Sequence, residues 1–241
     1  MISRCISVFS VVNIEQDLYF MESDDLEAVR LYEMFRFERQ LKAQGAVRVA
    51  GIDEAGRGPL AGPVVAAVCI LPEVASLVGL NDSKQVIAVD REKLYHQIVA
   101  LDGCEWAVGV ATAAEIDRLN ILRASFLAMY RALEQLKQKP DVILIDGHLA
   151  PSFGIPTVPV VKGDAKSGSI AAASILAKVT RDRMMDELDL FFPQYGFKKN
   201  RGYATPDHLE AIQNEGPSAS HRKSFDPVKS MCLSETQGDL F

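Results

Sequence analysis

Short apolar runs alternate with amphipathic segments along the middle of the chain. Three of the runs are rich in Val, Ile, Ala and Leu and are bounded by glycine, proline or polar residues, which is typical of buried β-strands. These runs cover residues 64–71, 105–112 and 141–145. Residues 47–52 are also apolar or β-branched at most positions and predict a further strand. We therefore expect these segments to form one sheet.

Helical spacing predicts elements that cover the sheet. Residues 113–137 have apolar side chains three or four positions apart and no internal proline, so we expect one long crossover helix before the strand that leads to Asp146. Residues 22–44 mix apolar positions with many charges and predict an amphipathic helix that docks on the core. Strands joined by short connections, followed by a strand reached through a helix, predict an α/β fold with a mixed sheet flanked by helices.

Length and composition limit the class of protein. With 241 residues, 48% of them hydrophobic, the chain can form one substantial domain plus extensions. No apolar run approaches the ~20 residues of a membrane-spanning helix. The four cysteines lie far apart and the four histidines lack zinc-site spacing, which argues against a disulfide scaffold or a zinc site and favours a reducing cytoplasm.

The charge distribution points to one surface. The net charge of −6 argues against general attraction to polyanions. Residues 195–229, however, carry 6 Lys or Arg against 4 Asp or Glu. We expect that segment to supply a phosphate-facing surface.

The most informative motif is the segment Gly51–Pro63, in which Asp53 and Glu54 are followed by an arginine between glycines. Both carboxylates are expected where the first strand ends, a place where sites are commonly built. Hard cations such as Mg²⁺ bind oxygen ligands and retain waters, so this pair could form half of a metal site beside a phosphate. The neighbouring glycines would let the backbone approach a ligand. A solvated acidic turn is the alternative, and the glycine-rich continuation argues against it.

Two further acids occupy suggestive positions. Asp146 ends a buried strand and is followed by Gly147, although an ordinary Asp-Gly turn would look the same. Asp164 lies just ahead of a helix that begins with small residues, where a carboxylate could also act as a helix cap.

Five motifs in order make the chain resemble bacterial ribonuclease HII over roughly residues 45–229. The motifs are Gly51–Pro63, Asn81-Asp82-Ser83-Lys84, Ile145-Asp146-Gly147, Gly163-Asp164 with the helix after it, and Asn200-Arg201-Gly202-Tyr203-Ala204-Thr205. The resemblance implies a ribonuclease-H-like mixed sheet between helices, with a C-terminal helical extension.

The resemblance also implies a reaction and the residues that perform it. The expected products come from cleavage on the 5′ side of a ribonucleotide, in RNA–DNA hybrids or embedded singly in duplex DNA, with 3′-hydroxyl and 5′-phosphate ends. Two Mg²⁺ or Mn²⁺ ions would be held by the catalytic acids Asp53, Glu54, Asp146 and Asp164. The 2′-hydroxyl, which distinguishes RNA from DNA, would be read by Gly56, Arg57, Gly58 and Tyr203. Such an enzyme would remove misincorporated ribonucleotides and primers.

Basic residues near these motifs are candidates for phosphate contacts, which position a duplex without reading its sequence. Each lysine alone is more often simply solvated, but together they predict salt-sensitive binding. The candidates are Lys84, Lys166, Lys198, Lys199, Arg201, Arg222 and Lys223.

The last five residues, Gln237-Gly238-Asp239-Leu240-Phe241, resemble the sliding-clamp-binding motif of bacterial proteins. Gln237 would form a hydrogen bond at the edge of the clamp pocket, while Leu240 and Phe241 would fill its apolar groove. A disordered end, or one that docks on its own domain, is the alternative. We expect a monomer with an N-terminal extension (1–45), a catalytic domain (46–229) and a flexible tail (230–241).

Other functions are weighed against this one. A ribonuclease HIII-like enzyme would have a longer N-terminal substrate-binding domain and no comparable tyrosine motif. A non-catalytic nucleic-acid or sliding-clamp adaptor would not need all four acids. A nucleotidase or kinase is disfavoured because the chain lacks a G-x-x-x-x-G-K-[ST] run. A purely structural protein has no positive support.

Overall fold

A mixed β-sheet forms the centre of the computed structural model, which describes residues 23–72 and 77–232. Within these ranges the strand order is β3-β2-β1-β4-β5. Neighbours β1–β2 and β2–β3 run antiparallel, whereas β1–β4 and β4–β5 run parallel. The strands are β1 (Val49–Ala55), β2 (Val64–Ile70), β3 (Glu105–Ala111), β4 (Val142–Asp146) and β5 (Thr157–Val160). The predicted mixed sheet and its first four strands are confirmed, and β5 is an addition.

Helices pack on both faces of the sheet, and further helices form the C-terminal segment. They are α1 (Ser23–Met34), α2 (Arg36–Ala43), α3 (Ala88–Ala100), α4 (Ala113–Leu119), α5 (Ile121–Glu134), α6 (Gly168–Phe191), α7 (Phe197–Asn200) and α8 (Pro206–Glu215). Short 3₁₀ turns lie at Gly163–Ala165 and Pro193–Tyr195. Among the described helices, none combines the length and the apolar character needed to cross a bilayer.

The prediction of one crossover helix over residues 113–137 is wrong, because Asn120 divides it into α4 and α5. Asn120 has a φ of 69°, a positive value that residues other than glycine rarely adopt and that does not continue a helix. Its side-chain oxygen accepts a hydrogen bond from the backbone N–H of Arg123 and so caps α5. The predicted single helix over residues 22–44 is likewise two helices, α1 and α2, which meet at Phe35.

The helices pack closely on the sheet, which explains why both the helices and the strands contain small residues. On one face, α6 packs on β1 and β2, and a Cβ added to Gly51 would lie only 2.1 Å from the backbone carbon of Ser169. On the other face, α5 packs on β3, and a Cβ on Gly109 would lie 2.0 Å from the Ala128 carbonyl oxygen. No side chain larger than hydrogen fits between these elements. The positions of α5 and α6 relative to the sheet are therefore closely defined.

The N-terminal helices are anchored at the start of α6. The buried carboxylate of Glu38 on α2 accepts hydrogen bonds from the Ser167 hydroxyl (2.6 Å) and the Ser169 N–H (2.9 Å). The Phe35 ring packs against Gly168. Because the carboxylate satisfies an N–H group in the first turn of α6, it also interacts favourably with that helix dipole.

A separate apolar cluster supports the C-terminal part of the chain. It joins Leu60 and Ala61 to residues of the C-terminal helical segment, including Phe197, Ile212 and Val228. Leu60 donates its N–H to the carbonyl of Gly202 at 2.7 Å. This cluster fixes the segment 56–63 against the loop that carries Tyr203.

Candidate active site

Two of the predicted acids lie side by side because their strands are parallel neighbours. Ile52 on β1 is paired with Ile145 on β4, and Asp53 and Asp146 come one position later on each strand. Asp53 is buried (4% exposed), and its Oδ1 accepts the N–H of Glu54 at 2.7 Å. β1 continues to residue 55, so Asp53 and Glu54 lie near its C-terminal end rather than after it. The strand pairing thus brings three carboxylates together at the C-terminal ends of β1 and β4.

Asp164 reaches the same place from the loop before α6. It is buried in the 3₁₀ turn Gly163–Ala165, and the N–H of Gly163 donates to Asp146 Oδ1 at 2.6 Å. The alternative role of Asp164 as the cap of α6 is ruled out, since Ser167 accepts the hydrogen bond from the Ile170 N–H. A hydrogen bond therefore links the loop that carries Asp164 directly to a neighbouring acid.

Mutual repulsion and burial make these acids hard to ionise. Burial, with the charges of Glu54 and Asp146, raises the pKa of Asp53 well above its ordinary value. Burial also raises the pKa of Glu54, although Arg57 Nη1, 3.0 Å from Glu54 Oε1, opposes that effect. Burial and the charges of Asp146 and Asp82 raise the pKa of Asp164 to about 6. The site carries more negative charge than its surroundings stabilise.

Lys84 brings a positive charge close to Asp164 and to the neighbouring Asp82. Its Nζ lies 3.8 Å from Asp164 Oδ2 and 3.9 Å from Asp82 Oδ1. Burial opposes the charge of Lys84, but the carboxylates of Asp82, Asp53, Asp164 and Asp146 raise its pKa above the ordinary value. The prediction placed Lys84 at the substrate, and the structure places its ammonium group among the acids.

The donor set suits a hard divalent cation. All four predicted ligands offer carboxylate oxygens. The raised pKa values of Asp53, Glu54 and Asp164 indicate that added positive charge would stabilise these three acids. In the described part of the chain, no three acidic, histidine or cysteine side chains are yet grouped closely enough to hold an ion. Glu54 is held by Arg57, and Asp146 by Gly163. The chemistry of these oxygen donors fits a hard divalent metal.

A cavity of about 350 Å³ opens beside the acids. The predicted site residues on its wall are Asp53, Glu54, Gly56, Arg57, Gly58, Lys84, Asp146 and Tyr203. The Tyr203 side chain is half-exposed (48%), and a Cβ on Gly58 would lie 3.7 Å from its ring. Lys166 does not line this cavity, since it is exposed and its ammonium group donates to the Val161 carbonyl at 2.8 Å.

Arg222 was expected to contact phosphate, and this prediction is wrong because its side chain is fully buried. Its guanidinium donates to the carbonyls of Gly56 (2.6 Å), Arg57 (3.0 Å) and Gly62 (3.0 Å). Burial lowers the pKa of Arg222 to about 9. Arg201 is also engaged within the protein, with the carboxylate of Asp186. Lys198, Lys199 and Lys223 do lie at the surface.

A second buried arginine, Arg181 on α6, was not singled out from the sequence. It donates to the carbonyls of Pro63 (3.0 Å), Ala61 (3.2 Å) and Arg201 (3.1 Å). Gly56, with a φ of 95°, leaves room for it, because a Cβ there would lie 2.0 Å from Arg181 Nε. The sequence feature that could have pointed to Arg181 is a pair of basic residues, at positions 178 and 181, on the helix that begins with small apolar residues.

Comparisons with known proteins agree with this geometry. Residues 50–228 match the family model described as Ribonuclease HII. A ribonuclease HII from Desulfitobacterium hafniense (strain DSM 10664 / DCB-2) is 55% identical over 204 residues, or 85% of this chain and 78% of the relative. The ribonuclease H2 crystal structure from Pyrococcus horikoshii OT3 superposes with a TM-score of 0.66 at 30% identity, and the match covers 79% of this chain and 100% of that one.

A further solved structure, the PCNA:RNase HII complex from Archaeoglobus fulgidus, matches with a TM-score of 0.62 at 27% identity and covers 75% of this chain and 96% of that one. Members of the matched family are metal-dependent nucleases. The chain therefore belongs to the ribonuclease HII family and is an endoribonuclease that acts on RNA–DNA hybrids.

Proposed function

We propose that the protein hydrolyses the phosphodiester on the 5′ side of a ribonucleotide in a duplex, including one ribonucleotide embedded in DNA. The products would carry 3′-hydroxyl and 5′-phosphate ends. The observation that carries this proposal is the presence of Asp53, Glu54, Asp146 and Tyr203 on the wall of one cavity. The cavity wall thus combines carboxylates, which suit phosphodiester hydrolysis, with a tyrosine, which suits recognition of the sugar.

The acids Asp53, Glu54, Asp146 and Asp164 would hold Mg²⁺ or Mn²⁺. When bound, a pair of such ions activates water and stabilises the departing 3′ oxygen. Lys84 stabilises the acids while no ion or phosphate is present. Because its side chain is 75% exposed, the ammonium group can turn towards a substrate phosphate once the acids are neutralised.

The sugar would be read by Tyr203 together with the segment Gly56–Gly58. RNA differs from DNA along the backbone by its 2′-hydroxyl, so selectivity requires a group that contacts this atom. The glycines carry no side chain that would block a close approach of the backbone to a ligand, and Tyr203 lines the same cavity. This arrangement suits a ribonucleotide followed by a deoxyribose, against which the ring can lie.

The test of this recognition compares kcat/KM on a duplex with one ribonucleotide and on a long RNA–DNA hybrid. Tyr203→Ala should lower the ratio of the two, since it removes the junction-reading ring. The matched control is Tyr130→Ala, because Tyr130 on α5 has nearly the same exposure (47%) but lies outside the cavity wall. A Tyr203→Ala enzyme with an unchanged ratio would refute this role.

We also propose that the C-terminal residues Gln237, Leu240 and Phe241, which lie outside the described residues, bind the bacterial sliding clamp. The sequence of the tail supports this, as does the Archaeoglobus fulgidus RNase HII solved with PCNA. Such binding would deliver a cytoplasmic, monomeric enzyme to replicating DNA for ribonucleotide excision and primer removal. Clamp affinity should drop in a chain that ends at Thr236 and in a Leu240→Ala/Phe241→Ala variant of full length. Equal affinity in all three proteins would dismiss the proposal.

A further inference from the structure

We propose that two buried histidines, His208 and His221, are positioning residues for recognition of the junction between a ribonucleotide and DNA. They hold the backbone of Tyr203 in place while its ring stays free to meet the substrate. This inference rests on the proposed role of Tyr203.

The two histidines form a continuous line of hydrogen bonds that ends at Tyr203. His208 Nδ1 lies 2.8 Å from the Tyr203 carbonyl oxygen, and His208 Nε2 lies 3.0 Å from His221 Nε2. His221 Nδ1 in turn lies 2.9 Å from the backbone nitrogen of Ser218. Both rings are buried, at 0% and 1% exposure. No ring nitrogen in this pair is without a partner.

The chemistry of the two ends fixes the proton positions. A carbonyl only accepts, so His208 carries its proton on Nδ1 and donates to Tyr203. The Nε2 atom of neutral His208 is then an acceptor, and His221 donates to it from its own Nε2. That leaves His221 Nδ1 to accept the N–H of Ser218, a group that can only donate. The Tyr203 carbonyl at one end and the Ser218 N–H at the other require the same proton positions, so each ring has one tautomer.

Burial favours the uncharged form of both rings. It lowers the pKa of His208, and burial together with the nearby His208 ring lowers the pKa of His221 to about 4. Aromatic rings enclose the pair, with the Tyr195 ring centroid 4.7 Å from that of His221 and the Phe197 centroid 5.5 Å from that of His208. The direction of each hydrogen bond is therefore fixed.

The line also connects Tyr203 to the other element that would read the sugar. His221 forms an isolated bridge with Ala61, and the N–H of Gly62 donates to the carbonyl of Ser220 at 2.8 Å. Arg222, next to His221, holds the carbonyls of Gly56 and Arg57. The histidines thus set the distance between the Tyr203 loop and the Gly-Arg-Gly segment.

Isosteric amides separate this role from ordinary packing. At position 208, asparagine places an amide nitrogen near the Nδ1 position and keeps a donor for Tyr203, whereas glutamine reaches the Nε2 position and loses that donor. His208→Gln should lower the single-ribonucleotide to hybrid ratio of kcat/KM by about fivefold, the effect of losing one hydrogen bond. His208→Asn should change the ratio by less than about twofold on the same basis.

The expected pattern reverses at position 221. There, glutamine keeps a donor for His208 Nε2 and asparagine loses it, so His221→Asn should lower the ratio and His221→Gln should not. Melting temperatures of all four variants identify any protein that has lost its fold, and either position alone suffices for the test. An equal decline on both substrates, or equal ratios for the two amides at a position, would overturn the inference.

Tyr203→Ala in the same assay distinguishes the two proposals. If it lowers the ratio while His208→Gln does not, this inference fails and the proposed function stands. If it leaves the ratio unchanged, both fail. If both proposals are right, adding His208→Gln to Tyr203→Ala should produce no further change in the ratio.

Discussion

Replacement of Asp164 by asparagine should stabilise the metal-free protein although it removes a predicted catalytic acid. Burial and the neighbouring charges of Asp146 and Asp82 raise the pKa of Asp164 from 3.8 to about 6. A carboxylate whose pKa is higher in the folded state favours folding as pH falls through about 6, and its charge opposes folding above that pH. The difference between these two pKa values corresponds to a loss of at most about 3 kcal/mol in the free energy of unfolding. Because Asp164 is partly accessible to solvent, which screens its charge, we expect about 1–2 kcal/mol.

The measurement is thermal unfolding at pH 8 in a chelator. For a protein of this size, that gain in free energy corresponds to a melting temperature about 3–6 °C higher in Asp164→Asn than in the wild type. The control is Glu115→Gln, because Glu115 pairs with Arg131 and its pKa is lowered to about 2. That variant should be less stable than the wild type. In saturating Mg²⁺ the advantage of Asp164→Asn should shrink, since metal binding stabilises the wild type more. An Asp164→Asn protein no more stable than the wild type in chelator would refute the reasoning.

Three further predictions concern stability. The pKa of His221, about 4, lies below that of an unfolded histidine, so lowering the pH from 6.5 to 4 should reduce the free energy of unfolding by up to about 3 kcal/mol. In His221→Gln, the free energy of unfolding measured in urea should depend less on pH over this range. Gly51→Ala should cost about 3 kcal/mol, measured by urea unfolding, because its Cβ would overlap the backbone of α6. Arg222→Met should cost about 3 kcal/mol and reduce cleavage, because three carbonyls beside the site lose their donor; unchanged stability and activity would contradict this.

The hydrophobic pattern found β1, β2 and β4 because these strands are buried along most of their length and are therefore apolar at most positions. It also found β3, an edge strand in which buried and partly buried positions alternate. It missed β5, which lies at the sheet edge and contains Pro159, a residue that argues against a strand in most settings. It also missed the break at Asn120, since no glycine or proline marks it. The helix break is set by a side-chain cap, which local hydrophobic patterning does not record.

The order of the motifs in the sequence was enough to identify the four acids. The groups that support them could be identified only from the tertiary structure. Asp146 could be an ordinary turn residue until the register of β1 and β4 placed it beside Asp53. Arg222 looked like a surface cation because its burial depends on carbonyls more than 150 residues away in the chain. His208 and His221 gave no signal, since the contact between them exists only in the folded protein.

The clamp-binding tail lies outside the described residues and stays a prediction. The division of the chain into an extension, a catalytic domain and a tail also stays a prediction. The family assignment, by contrast, decides against a nucleotidase, a kinase or a purely structural protein, because residues 50–228 match a nuclease family.

The central claim is that Asp53, Glu54, Asp146 and Asp164 use divalent metal to cut beside a ribonucleotide. The most direct measurement is incubation of the protein with a labelled duplex that contains one ribonucleotide, with Mg²⁺ or with chelator, followed by mapping of the product ends. The account predicts a single cut on the 5′ side of the ribonucleotide, with 3′-hydroxyl and 5′-phosphate ends, that is lost in chelator and in Asp53→Asn. Cleavage that persists in chelator or in folded Asp53→Asn, or that leaves other ends, would contradict it.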